Sequence, residues 1–147
     1  MRSASTLCLR LTQPPVASSG LIVLVLVLLQ HGGGYAFRLC SKAHKQTEEC
    51  FAAGTLKFAS PNTSIVNASG AVVATIPAVR LAKGTHPPGS EWTRNPIPLE
   101  IGMIQSIPGL PQLAGRGPFP FSVVDEVLVP PSLPSGDYTL SWRWDAE

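Results

Sequence analysis

The stretch LPSGDYTLSWRWDAE, Leu133–Glu147, has the strongest periodic pattern in this chain. It opens with a Pro-Ser-Gly turn signal, after which aromatic or aliphatic residues alternate strictly with polar ones. The apolar face holds Tyr138, Leu140, Trp142 and Trp144, and the opposite face holds Thr139, Ser141 and Arg143. A strand with one aromatic face has to bury that face against a second sheet. The stretch therefore predicts half of a β-sandwich, with the two tryptophans in its core.

Proline and glycine interrupt most of the 147-residue chain, with 15 and 13 copies respectively. From Pro61 onward the prolines recur so often that a helix of ordinary length has little room. Short strands joined by Pro/Gly turns are typical of an all-β fold, and the length supports a single domain. With a net charge of +2 and only 14% charged residues, we expect no nucleic-acid partner and no polybasic membrane patch.

Residues 1–30 form a hydrophobic leader in this interpretation. Its apolar run, Leu21–Leu29, would reach about 14 Å as a helix, far less than a hydrocarbon core of about 30 Å, so we expect no transmembrane span. The run favours a signal peptide or anchor and a secreted protein, with a possible cleavage site at Gly34-Tyr35-Ala36 before Phe37. The alternative is that Ile22–Leu28, which is rich in β-branched residues, is a buried strand of the domain.

Further strands follow from the same alternation. Tyr35, Phe37 and Leu39 alternate directly after three consecutive glycines, which indicate a sharp turn or a close backbone approach. We also expect strands at 70–76 and 121–129, each closed by proline, and a loop without periodicity between them at 101–120.

Cysteines and sequons point to an extracellular protein. Cys40 and Cys50 are the natural disulfide pair, and closing their short loop contributes roughly 2.5–3 kcal/mol in the chain-entropy model. Cys8 is left over and lies in the leader. Asn62-Thr63-Ser64 and Asn67-Ala68-Ser69 are two glycosylation sequons, with Asn62 and Asn67 as the acceptors.

Four blocks of the sequence together carry a resemblance. They are HGGGYAFRLC (31–40), TEECF (47–51), GTHPPGSEWTRNPIP (84–98) and FSVVDEVLVPPSLPSGDYTLSWRWDAE (121–147). In order and spacing they resemble the C-terminal half of secreted chitin-binding type-4 proteins of microbial eukaryotes, which are related to copper-dependent lytic polysaccharide monooxygenases. The resemblance covers residues 31–147, which we take as a partial domain of this kind.

The resemblance implies an immunoglobulin- or fibronectin III-like β-sandwich with long Pro/Gly-rich loops. It also implies a flat copper site, built from an N-terminal amine, the imidazole of that first histidine and a second histidine. Such ligands suit copper, and the enzymes oxidise glycosidic C–H bonds of chitin- or cellulose-type chains. The second histidine corresponds to His31. The alternative for His31 is a plain turn residue beside its three glycines.

The chain departs from this family at both ends. Family members begin with a histidine that opens a long Cys-rich half, and they continue past the WRWD block. We therefore expect a truncated polysaccharide-associated domain that binds no copper tightly and is inactive. The alternative is a non-enzymatic carbohydrate-binding or cell-surface adhesion sandwich. The stop after Glu147 also predicts that the last strand lies at an unpaired, aggregation-prone sheet edge.

The remaining candidate residues have structural interpretations. His44 and His86 are expected in loops. Trp92 is either a saccharide-stacking platform or, as we favour, a clamp that holds a Pro-rich segment onto the sandwich. Asp125 and Glu126 are adjacent on a strand and point to opposite faces, which argues against a paired-carboxylate glycosidase.

Overall fold

The computed structural model describes residues 2–11, 20–26, 33–96 and 121–145, which form two antiparallel sheets and a short helix. The elements are β1 Arg2–Leu11, β2 Gly20–Leu26, β3 Gly34–Ser41, α1 Glu48–Ala53, β4 Lys57–Phe58, β5 Asn62–Val66, β6 Val72–Pro77, β7 Arg80–Leu81, β8 Trp92–Arg94, β9 Ser122–Leu128 and β10 Gly136–Asp145. The all-β, sandwich-like prediction is confirmed. The expected loop at 101–120 lies outside the described residues.

The first sheet has the strand order β1-β10-β3-β8-β7. Strand β10 pairs with β3 on one side, from Tyr138↔Ser41 to Asp145↔Gly34, and with β1 on the other along its whole length. The expectation that this last strand lies at an unpaired edge is therefore wrong. The physical reason is that residues 2–11, which the sequence suggested were leader, supply the missing partner.

The second sheet has the order β2-β9-β5-β6, and β4 pairs with β9 beside β5. Strand β2 overlaps most of the apolar run of the leader and pairs with β9 over seven residues. This arrangement corresponds to the strand alternative for that run. Removal of the segment by a signal peptidase stays a prediction. No helix in the described part of the chain is long and apolar enough to cross a membrane.

The core lies between the inner faces of the two sheets. Phe37 of β3 is fully buried, and its ring meets those of Tyr35 and Phe58 at centroid distances of 5.8 Å each. Tyr138 and Leu140 of β10 are buried with them, as the alternation predicts. The next two residues of that face, Trp142 and Trp144, are half-buried, stack on each other and pack against this core.

Helix α1 covers the outer face of β3, where Phe51 is buried. Thr47 caps its N-terminus, because the threonine hydroxyl accepts a hydrogen bond from the backbone N–H of Cys50. Acidic side chains in the first turn favour the helix electrostatically. The stretch is free of proline, which is what allows one short helix here.

The connection from α1 to β4 crosses β3 at very close range. Leu39 N–H donates to the carbonyl of Gly54 at 2.8 Å, and Leu56 N–H donates to that of Phe37 at 2.8 Å. A Cβ on Gly54 would lie 1.8 Å from the Leu39 carbonyl oxygen. Glycine is therefore required at this crossing, since any side chain would force the two backbones apart.

The predicted disulfide is confirmed. Cys40 of β3 and Cys50 of α1 are bonded, with their Cα atoms 5.5 Å apart. The bond therefore fastens the helix to the first sheet. Cys8 on β1 is free and exposed.

Replacing both bridged cysteines with serine is expected to lower the free energy of unfolding by roughly 2.5–3 kcal/mol, because the unfolded chain regains the entropy of an open loop. Urea denaturation followed by tryptophan fluorescence measures the change. Cys8→Ser is the control, and it should leave the midpoint unchanged because that thiol is exposed. Equal stability of the double variant and the wild type would contradict the expected role of the bond.

Candidate functional site

A groove of about 590 Å³ opens where β7, β8 and the end of β10 meet. We call it the β8 groove. Its lining includes Gly34, Lys83, His86, Trp92, Arg94 and Arg143. A Cβ on Gly34, at the start of β3, would lie 2.8 Å from the Thr93 carbonyl oxygen, so glycine lets β3 and β8 approach this closely beside the groove. The groove thus lies at one end of the first sheet.

Three of the four blocks that carry the family resemblance line the β8 groove, and the other contacts one of its lining residues. The first contributes Gly33 and Gly34, the third contributes residues 84–86 and 92–94, and the last contributes Arg143 and Asp145. The TEECF block supplies Glu48, whose carboxylate pairs with Arg143 from the side of α1. Segments far apart in the sequence are therefore neighbours in the fold.

Trp92 forms a covered wall of the groove. Its side chain is buried, and its indole N–H donates to the hydroxyl of Ser90 at 3.0 Å. The guanidinium carbon of Arg143 lies 5.5 Å from the ring centroid, within the range of a cation–π contact. This environment agrees with the clamp interpretation of Trp92, because a buried ring offers little face for a sugar to stack on.

The charged side chains around the groove are mainly cationic. Among the described residues that line it, Lys83 and Arg94 are exposed at the rim and Arg143 is buried in the wall, against the one carboxylate of Asp145. Val79, just before β7, and Leu81, the last residue of β7, add apolar surface and are about half exposed. The groove therefore combines apolar surface with positive charge, which attracts anionic groups.

The predicted histidine site is not assembled from described residues. His31 lies outside them. His86 lines the β8 groove, whereas His44 lines a depression beside the disulfide, at the other end of the first sheet. Both are exposed and in loops, as expected.

The described residues also do not fit a copper site. Among them, no group of three or more His, Cys, Asp or Glu side chains is placed to hold a metal ion. Lys83, Arg94 and Arg143 line the same groove as His86, and their positive charge opposes a cupric ion there. The role of His31 as a copper ligand stays a prediction.

A second polar cluster lies inside the sandwich and was missed by the sequence analysis. Asp125 of β9 is buried, whereas its neighbour Glu126 is exposed, which confirms that the two point to opposite faces. The Asp125 carboxylate accepts hydrogen bonds from Tyr35 (2.5 Å), Thr63 (2.7 Å) and Arg80 (3.0 Å). These donors come from both sheets, so the cluster ties the sheets together. An acidic residue at an inward position of an apolar strand was the available signal.

Burial first, and then the negative charge of Asp125, raise the pKa of Tyr35 well above its ordinary value. The unfolded phenol ionises near pH 10, while the folded one stays neutral. The contribution of the neutral Tyr35 phenol to folding stability is therefore complete below about pH 10 and is lost as the pH rises through and beyond that value.

Tyr35→Phe should remove this pH dependence. We expect the stability of the wild type to fall more steeply between about pH 9 and 11 than that of the phenylalanine variant. Urea denaturation at a series of pH values measures both slopes. Parallel curves would show that the phenol is not held neutral by the fold.

The two sequons lie on or next to β5. Asn62 is exposed at the first position of the strand. Asn67 follows the strand, and its side-chain oxygen accepts hydrogen bonds from the backbone N–H groups of Ser69 and Ala71, both at 3.0 Å. Asn67 therefore closes the β5–β6 turn. Glycosylation of either asparagine stays a prediction.

Comparisons of the chain with protein-family models, with curated proteins and with solved structures give no match. The family resemblance therefore rests on its four sequence blocks alone.

Proposed function

We propose that this protein is a secreted β-sandwich that binds an extracellular polysaccharide in the β8 groove. The observation that carries the proposal is that three of the resemblance-bearing blocks line this groove, while Glu48 of the other pairs with its Arg143. The Cys40–Cys50 bond supports the secreted location, since disulfides form and persist in oxidising compartments.

The side chains of the groove suit a polysaccharide that carries acidic groups. Val79 and Leu81 offer apolar contacts to the C–H faces of sugar rings. The exposed cations Lys83 and Arg94 attract carboxylates or sulfates along the chain and speed encounter with them. A neutral chitin or cellulose chain would use the apolar contacts and hydrogen bonds only.

Two soluble derivatives of cellulose test the proposal with the same β-1,4-glucan backbone. Affinity electrophoresis should show binding of carboxymethylcellulose, weaker binding of hydroxyethylcellulose, and loss of the difference in high salt. Binding to insoluble chitin and cellulose is measured alongside by pull-down.

The double variant Lys83→Ala/Arg94→Ala should weaken carboxymethylcellulose binding by about tenfold, since two rim charges are lost. The control is the double variant Lys42→Ala/Lys45→Ala. It removes the same number of positive charges from two exposed lysines that lie outside the groove. This control should bind like the wild type. Absence of binding to every polysaccharide, or equal losses in both double variants, would sink the proposal.

Oxidative attack on the polysaccharide is the second candidate. It is favoured by Gly33 and Gly34, which line the groove and follow His31 closely in the sequence. Copper titration of the wild type and of His31→Ala tests it. Tight stoichiometric copper binding that the variant lacks would support oxidation. We expect no tight copper binding, which would leave polysaccharide binding without oxidation as the function.

A further inference from the structure

Two buried guanidinium groups meet at one carboxylate oxygen on the outer face of the first sheet. Arg38 and Arg143 donate from their Nη1 atoms to Oε1 of Glu48, at 2.7 and 2.8 Å. Both arginine side chains are more than nine-tenths buried, while Glu48 is half exposed. Two like charges this close repel each other where water is scarce, so the shared carboxylate holds them together.

Arg143 is fixed from several sides and still lines the β8 groove. Glu48 binds its Nη1, Asp145 binds its Nη2 at 3.2 Å, and its guanidinium carbon lies 5.5 Å from the Trp92 ring centroid. A guanidinium carries five N–H donors, so these two carboxylates leave donors for a ligand. A planar fork of this kind suits a carboxylate or sulfate oxygen pair.

Glu48 cannot move away easily, because both ends of the first turn of α1 are fastened. It directly follows the capping residue Thr47, and Cys50 in the same turn is bonded to Cys40 of β3. The helix therefore holds the carboxylate against the two arginines. Preorganised groups of this kind lose less entropy when a ligand binds.

We propose that Glu48 is the positioning residue of the β8 groove, which orients the Arg143 guanidinium toward an acidic group of the bound polysaccharide. The inference rests on the groove proposed above as the polysaccharide site. The expected effect of removing Glu48 on binding is the reverse of what its charge alone predicts. The negative charge of Glu48 opposes an acidic ligand, and yet its removal should weaken binding, because Arg143 is then no longer held in place.

This opposition of signs makes the affinity test decisive. Glu48→Ala and Glu48→Gln each make the region more positive, so charge alone predicts tighter binding of carboxymethylcellulose. Positioning predicts weaker binding, by about tenfold for the alanine variant and by less for glutamine, whose oxygen still accepts hydrogen bonds. Glu49→Ala is the matched control, since it removes the same charge from the same turn without contacting either arginine through the bonds described above. It should bind as tightly as the wild type or tighter.

A measurement without polysaccharide separates this inference from the proposed function. The Arg143 guanidinium N–H signals, assigned with Arg143→Lys, are followed by ¹⁵N NMR while inorganic sulfate is added. In the wild type we expect resolved signals that shift with sulfate. In Glu48→Gln, chosen because it keeps the shape of the side chain, we expect merged signals and a response reduced several-fold.

A Glu48-dependent sulfate response without binding to any polysaccharide would support the positioning role and overturn the proposed function. Sulfate and carboxymethylcellulose affinities that are unchanged or higher in both Glu48 variants would overturn the positioning role. A wild type whose Arg143 signals ignore sulfate would overturn it as well.

Discussion

Replacing Asp125 with alanine is expected to lower the free energy of unfolding by about 3–5 kcal/mol. The carboxylate accepts hydrogen bonds from Tyr35, Thr63 and Arg80 inside the sandwich. Its loss leaves the guanidinium of Arg80 with little solvent and no counter-charge in the cluster, and it removes the acceptor of two buried hydroxyls. Urea denaturation followed by circular dichroism measures the change.

Two further substitutions show whether the charge or the position matters. Asp125→Asn keeps hydrogen-bond acceptors but removes the charge, so we expect an intermediate loss. Glu126→Ala, on the next residue of β9, removes an exposed carboxylate and should change stability by no more than about 0.5 kcal/mol. If Asp125→Ala were as mild as Glu126→Ala, the cluster would not be joining the two sheets.

Phe37→Ala is expected to cost about 3–5 kcal/mol, because it empties a fully buried position between the sheets. The rings of Tyr35 and Phe58 would each lose an edge-to-face contact. The same denaturation experiment measures the loss. We also expect a lower melting temperature with an unchanged fold by circular dichroism.

A graded series at Phe37 separates cavity formation from other effects. Phe37→Leu refills most of the space and should cost less than half as much as the alanine variant. Leu7→Ala, which removes an apolar side chain that is 64% exposed, should be nearly neutral. Equal effects of alanine and leucine at Phe37 would contradict the packing described for this core.

Alternation predicted the strands whose inner faces build the core. In β10 and β3 successive side chains point to opposite faces, so the buried set that includes Phe37 and Leu140 follows from local sequence. The partners of those strands do not. Strand β1 pairs with β10 across almost the whole described chain. Its sequence, RSASTLCLRL, alternates too weakly to predict that pairing.

The candidate site was only partly accessible to sequence reasoning. The resemblance singled out the blocks that line the β8 groove, but their meeting point depends on long-range strand pairing. The ion pairs of Glu48 also required the helix, although Thr47 followed by two glutamates is a recognisable helix start. For Asp125, a charged residue at an inward position predicts that it has a buried partner, but the local sequence does not identify that partner.

The pairing of β10 has a consequence for how the chain acquires its structure. Strands β5 and β6 are joined by a short turn and can zip up locally within microseconds. Strand β10 of the first sheet has no such local partner, since it pairs with β3 and β1 across a long stretch of intervening chain, which makes folding slow. During synthesis, the aromatic face of β3 therefore waits without its neighbour until residues 136–145 have left the ribosome. In that interval the nascent chain exposes apolar surface and is prone to aggregate, so we expect its folding to benefit from a chaperone.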